Sequence, residues 1–130
     1  LDYCVMKMKK RRRTEEFNMV NEQLVNQVRA YQTAKLQAAN KSRPFSTQEW
    51  LAFDVKKLLE EVGELVEQCL GYQATGVGSR YVKEEIADVA IALACIASNF
   101  GFEIAPAMDE KLAILRLRLE EMGCKQEELT

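Results

Sequence analysis

Lys57-Leu-Leu-Glu-Glu-Val-Gly-Glu-Leu65 and, after a spacer, Glu84-Glu-Ile-Ala-Asp-Val89 decide how this chain is read. Each segment holds a carboxylate pair spaced i, i+3: Glu61 with Glu64, and Glu85 with Asp88. In a helix that spacing puts both side chains on one face, about 5 to 6 Å apart at Cβ. Two antiparallel helices would therefore bring all four acids together. Three and four residues from Glu64 stand Glu60, Glu61, Glu67 and Gln68, and around Asp88 stand Glu84, Glu85, Ile91 and Ala92. Only Glu61 has a possible partner on its own helix, Lys57. Asp88 is also embedded in the apolar run Ile86 to Ala97, where an unpaired charge is costly. A single acidic pair at helical spacing is ordinarily a solvated face. Two pairs on successive apolar helices are less common, and a bound cation would relieve both their repulsion and their burial.

The chain has no histidine and no paired cysteine spacing, so a metal here must take oxygen ligands. That favours Mg²⁺, with Mn²⁺ as a substitute, over Zn²⁺. Nucleophilic catalysis lacks its parts, because the serines and cysteines have no histidine base. There is no glycine-rich phosphate loop either. Metal-assisted chemistry on a substrate that brings its own negative charge remains, and a triphosphate fits that description.

A chain of 130 residues is one domain by length, and 48% hydrophobic residues suffice for a core. Residues 1–13 hold six basic residues against one acidic, a charge of +5, so the remainder carries −7 of the total −2. An acidic folded part argues against a nucleic-acid polymer as its ligand. The four cysteines are scattered, which points to a reducing, cytoplasmic setting rather than a disulfide framework. No stretch is long and apolar enough to be read as a membrane span.

Residues 1–13 are expected to be a basic tail or an expression remnant outside the domain, 14–122 a helical domain, and 123–130 a C-terminal tail. The first helix is expected to start at Thr14 and to run to about Ala39, with a stripe of Phe17, Val20, Leu24, Val28 and Tyr31. The second opens on a capping box, Ser46-Thr-Gln-Glu49, with Phe45 and Trp50 as a hydrophobic staple. Its core stripe reads Leu51, Val55, Leu58, Val62, Leu65 and Cys69, and the adjacent stripe Trp50, Asp54, Lys57, Glu61, Glu64 and Gln68. Gly63 costs about 1 kcal/mol mid-helix, which suggests close approach of another helix or of a substrate. Gly71 is expected to end this helix, with a flexible connection to Gly78 and Ser79 as the next cap. A third helix spans about Arg80 to Asn99. Pro106 suits the first turn of a fourth, whose stripe is Met108, Leu112, Leu115, Leu119 and Met122. The apolar second half of helix three, with Ile114 and Leu117 off the helix-four stripe, predicts self-association.

The motif Glu60-Glu61-Val62-Gly63-Glu64 followed by Glu85-Ile86-Ala87-Asp88 resembles the EExxE and ExxD signature of the MazG-like, all-α nucleotide pyrophosphohydrolases, across roughly Asn21 to Arg118. The resemblance implies a four-helix-bundle-like fold assembled as a homodimer or dimer of dimers. It implies Mg²⁺-dependent cleavage of (deoxy)nucleoside triphosphates to monophosphate and pyrophosphate, as in house-cleaning of the nucleotide pool. Glu61, Glu64, Glu85 and Asp88 would be the metal ligands, with Glu60 the candidate for orienting the water. Lys57, Lys83, Lys111 and Arg118 are the cations near the implied groove. Lys111 and Arg118 fall on the family's K-x-x-x-N-x-x-R pattern, whose asparagine position is Leu115 here. Trp50 and Tyr72 are the candidates for stacking on a base. A phosphoribosyl-ATP pyrophosphohydrolase-like enzyme and a non-catalytic helical oligomerisation module remain open alternatives.

Overall fold

The computed structural model describes residues 22–39 and 45–123. Among these lie four helices and no strand: α1 (22–38), α2 (Thr47–Thr75), α3 (Ser79–Asn99) and α4 (Ile104–Glu121). The all-α expectation is met. The basic segment 1–13, the first-helix start at Thr14, the break at 40–44 and the tail from 124 fall outside the described residues.

The start of α2 is the one its sequence dictates. Ser46 Oγ accepts from the Glu49 N–H at 3.2 Å, and Glu49 Oε1 accepts from the Ser46 N–H at 3.4 Å, so two backbone donors at the helix start are satisfied reciprocally. Phe45 and Trp50 close the staple edge to face, with ring centroids 4.9 Å apart. The other end departs from the expectation at Gly71, because α2 continues one further turn to Thr75. A glycine inside a helix costs only about 1 kcal/mol, whereas Gly76 adopts the left-handed conformation, φ 71°, that ends one. The connection therefore shrinks to residues 76–78. Ser79 is the first helical residue rather than the cap, a place Gly78 takes without a side-chain hydrogen bond.

So short a link makes α2 and α3 an antiparallel pair, in which Asp54 near the start of α2 meets Asn99 at the end of α3. At the other end of α3 the chain turns through Gly101, φ 72°, and α4 leaves at 93° to the α3 axis. Among the described residues no single helix is long and apolar enough to cross a membrane.

Among the described residues the buried centre is Ala92, Cys95 and Ala97 of α3, with Asp54 of α2. The predicted core stripe of α2 is rotated. Leu51, Leu58 and Leu65 face inward, but Val55, Val62 and Cys69 are exposed, and the inward face is shared with Asp54, Glu61 and Gln68. Polar interactions at Asp54 draw that edge of the helix in, and the opposite side is left exposed among the described residues. Leu59, Val66 and Leu70 line that open side, with Gly63 among them. A Cβ added at Gly63 would meet nothing within 4 Å, so the expected close approach does not occur within the described chain. On α3, Ala90 and Leu93, in the apolar second half of the helix, are exposed in the single chain. On α4 no residue is fully buried, and Met108, Leu112, Ile114, Leu115, Leu117 and Met122 are all exposed.

Candidate metal centre and adjoining cleft

The antiparallel pairing of α2 and α3 converts two local spacings into one cluster. Glu61, Glu64 and Glu85 each place a carboxylate oxygen so that the three lie within 4.8 Å of one another. Asp88, the fourth expected ligand, is outside that trio, although its charge acts on both Glu61 and Glu85. Two of the oxygens, Glu61 Oε2 and Glu85 Oε2, are shut off from solvent without a hydrogen-bond partner. Loss of hydration pushes the Glu61 carboxyl up from its ordinary value. The Glu64 and Asp88 charges add to that push, and Lys57 opposes it more weakly. Glu85 is raised by the same loss of hydration, then by Glu64 and Asp88.

These observations test whether a metal suits the residues present. The donors are all hard carboxylate oxygens, two carboxylate oxygens are buried and unsatisfied, and loss of hydration followed by mutual repulsion disfavours the charged form of Glu61 and Glu85. A divalent cation such as Mg²⁺ answers each of these conditions, and the set fits it.

Lys57 lies 3.5 Å from Glu60 Oε2 and 3.9 Å from Glu61 Oε1. It thus bridges the rim of the cluster, and Glu60 sits on the solvent side of that bridge. Beside the cluster opens a cleft of about 580 Å³ between α1, α2 and α3, with Glu61, Asp88 and Lys57 at one end. Its other walls are mainly apolar, with Phe53, Ile91 and Cys95 facing Tyr31 of α1. Burial pushes the Cys95 thiol up from its ordinary value, so Cys95 is a wall rather than a nucleophile.

The remaining sequence candidates are dispersed. Trp50 packs with Phe45 and Phe53, and neither Trp50 nor Tyr72, exposed near the end of α2, lines the cleft. Lys83 is exposed on α3, and Lys111 and Arg118 are exposed on α4, away from the cleft lining.

Sequence reasoning missed the best-connected polar group. Asp54, 1% exposed, accepts from Arg29 Nη1 and Nη2 at 2.5 Å each and from Asn99 Nδ2 at 2.6 Å. The Arg29 guanidinium also lies over the Trp50 ring, 4.1 Å from its centroid, and donates to Gln32 Oε1 at 3.1 Å. This network fastens α1 to both other helices and so fixes the far wall of the cleft. Its signal was present in part, because Asp54 belongs to the same stripe as Glu61.

Comparison of the chain with family models, with curated proteins and with solved structures finds no match.

Proposed function

We propose that this chain is a Mg²⁺-dependent nucleoside triphosphate pyrophosphohydrolase of the MazG-like kind. One observation carries the reading: of three convergent carboxylates, two with buried unpartnered oxygens, Glu61 also lines, with Asp88, a cleft large enough for a nucleoside. Ligand pockets typically run from about 300 to 1,000 Å³. Glu61, Glu64 and Glu85 would hold the cation, with Asp88 joining from the cleft side. A cation bound there supplies positive charge against phosphate oxygens and lowers the pKa of water. Lys57 holds Glu60 and Glu61 at the rim, and Glu60 would orient the attacking water. Water adds to the α-phosphorus and gives up a proton to Glu60, the α–β anhydride bond breaks, and pyrophosphate leaves with the electron pair. The cleft receives the organic end of the substrate and keeps it out of water.

The working unit is a homodimer or a dimer of dimers. The exposed α2 face of Leu59, Gly63, Val66 and Leu70 supports this, as does the α4 surface around Leu112 and Leu115. Faces of this kind resemble a core cut in half, and a glycine amid open space on one of them gives a partner helix room to approach. The buried free thiol of Cys95 suits a reducing, cytoplasmic setting.

The test is pyrophosphate release from each common and modified (deoxy)nucleoside triphosphate, and from phosphoribosyl-ATP, with and without Mg²⁺. Release from at least one substrate, abolished by chelator and by Glu64→Gln, is expected. Absence of release from all of them would refute the reading and favour a helical assembly module.

A further inference from the structure

The polar groups lining the cleft are not evenly divided between donors and acceptors. Gln32 presents its amide oxygen to Arg29 at 3.1 Å, and the orientation is forced because a guanidinium has five donors and no acceptor. What Gln32 retains for a ligand is chiefly its NH₂ group. Lys35, one turn further along α1, also lines the cleft and offers only N–H donors. Its ammonium lies 5.5 Å from the centroid of the Tyr31 ring. The carboxylate in this wall, Asp54, has three acceptor positions occupied by Arg29 and Asn99. The Gln27 amide and the Tyr31 hydroxyl serve as donor or acceptor equally and discriminate nothing. Glu61 and Asp88 are acceptors, but they stand at the phosphate end, facing the cation.

We propose that the cleft selects keto-bearing bases over amino-bearing ones, with Tyr31 against the face of the base and with Gln32 and Lys35 donating to its carbonyl oxygen. This rests on the reading of the site as one for nucleoside triphosphates. A ligand carbonyl gains a hydrogen bond from these donors. An amino group at the same position meets N–H against N–H and leaves the donors unpaired. The discrimination expected from one such bond at a partly exposed site is about tenfold. Uracil against cytosine and hypoxanthine against adenine are the informative pairs, because the members of each differ only along one edge, a carbonyl beside a ring N–H in one and an amino group beside a bare ring nitrogen in the other.

The experiment measures kcat/KM for dUTP, dCTP, dITP and dATP on the full chain with Mg²⁺. The keto member of each pair is expected to win by about tenfold. Gln32→Glu keeps an oxygen toward Arg29 and replaces the remaining NH₂ by an acceptor, so the ratio of kcat/KM for the keto over the amino member of each pair should fall or invert, whatever the absolute rates. Lys35→Met, which leaves the Arg29 network untouched, should lower kcat/KM more for the keto than for the amino member of each pair. Equal turnover within each pair, or an amino preference, overturns the inference and leaves the pyrophosphohydrolase reading standing. An equal loss on all four substrates in Lys35→Met also overturns it, since the lysine would then serve the phosphates. If no triphosphate is turned over, titration of uridine, cytidine, inosine and adenosine, followed on the Gln27 and Gln32 side-chain amide resonances, separates the two failures. Tighter binding of uridine and inosine would retain the base selectivity without the chemistry. Equal or absent binding would remove it.

Discussion

Replacing Asp54 by asparagine keeps the side chain's shape and removes what its surroundings require. Three donors converge on the carboxylate, two from Arg29 and one from Asn99, all at 2.5 to 2.6 Å. An asparagine has one acceptor oxygen and one NH₂, so it must turn N–H against N–H toward at least one of them. Hydrogen bonds to charged groups contribute about 1.5 to 3 kcal/mol each, and a buried donor left unmade costs about 1 to 3 kcal/mol. Arg29 is 18% exposed and regains some water, which trims the total to about 3 kcal/mol. For a chain of 130 residues an unfolding entropy of about 2.1 cal/mol/K per residue gives about 0.27 kcal/mol/K, so Asp54→Asn should lower Tm by about 11 °C. Asp54→Leu should cost at least as much, because it strands the guanidinium. Arg29→Met/Asp54→Leu should return to within about 1 kcal/mol of wild type, since a packed apolar pair can replace a buried ion pair. Thermal and urea unfolding, followed by far-ultraviolet circular dichroism at one fixed protein concentration, measures all three. A fall of less than about 3 °C in Asp54→Asn, where about 11 °C is expected, would show that the pair is not held in solution. A double variant no better than Asp54→Leu would show that the packing, not the charge pair, matters.

At the carboxylate cluster stability and function should pull apart. Glu64→Gln should melt above wild type in chelator, gain less from excess Mg²⁺ and lose turnover; a lower melting point in chelator with an undiminished Mg²⁺ gain would refute the metal site. Because the Glu61 and Glu85 carboxyls are raised above an ordinary value of 4.5, the metal-free fold binds more protons than the unfolded chain between that value and their folded ones. Their favourable contribution is complete below 4.5 and is lost as pH rises through the raised values. Tm in chelator should therefore fall toward neutral pH relative to Glu61→Gln, and excess Mg²⁺ should remove the difference. Gly63→Leu, on a face where the single chain has open space, should keep its helicity but shift the mass measured by light scattering toward the monomer. A monodisperse monomer in wild type at micromolar concentration would rule out the dimer.

How far the sequence could be read depended on how local the deciding interaction was. The α2 start was fully legible because Ser46, Glu49, Phe45 and Trp50 satisfy one another within six residues. The convergence of Glu61, Glu64 and Glu85 was legible at one remove, since i, i+3 spacing fixes a face and a short link fixes the antiparallel partner. The rotation of α2 was not, because an apolar count weights Val55 and Val62 above Asp54. What decides the rotation is a pairing across 25 positions, from Arg29 to Asp54. The cleft walls failed for the same reason. Tyr31 was assigned to the core by its helical phase, yet it stands 65% exposed at the cleft, and no local pattern announces a wall built by a different helix.

The stripe that carries Asp54 also carries Glu61, two turns further along, and the contrast between them is the strongest argument about the site. Both are acids drawn toward the interior of one helix pair, yet the chain answers them oppositely. Asp54 receives a bidentate guanidinium and an amide. Glu61 receives a lysine at 3.9 Å, shared with Glu60, and is then surrounded by Glu64, Glu85 and the Asp88 charge, with one oxygen left unpartnered. A fold able to neutralise one inward carboxylate so completely has the means to neutralise the next, and stability alone would favour doing so. Leaving the second set repulsive costs stability in the chain by itself and is recovered only when something positive enters. If the acids were a solvated face, Glu61→Gln would change neither the response to Mg²⁺ nor the pH dependence of Tm; if they await a cation, it should change both, while Asp54→Asn, which disturbs the neutralised end of the stripe, should lower Tm and leave the Mg²⁺-induced gain as large as in wild type.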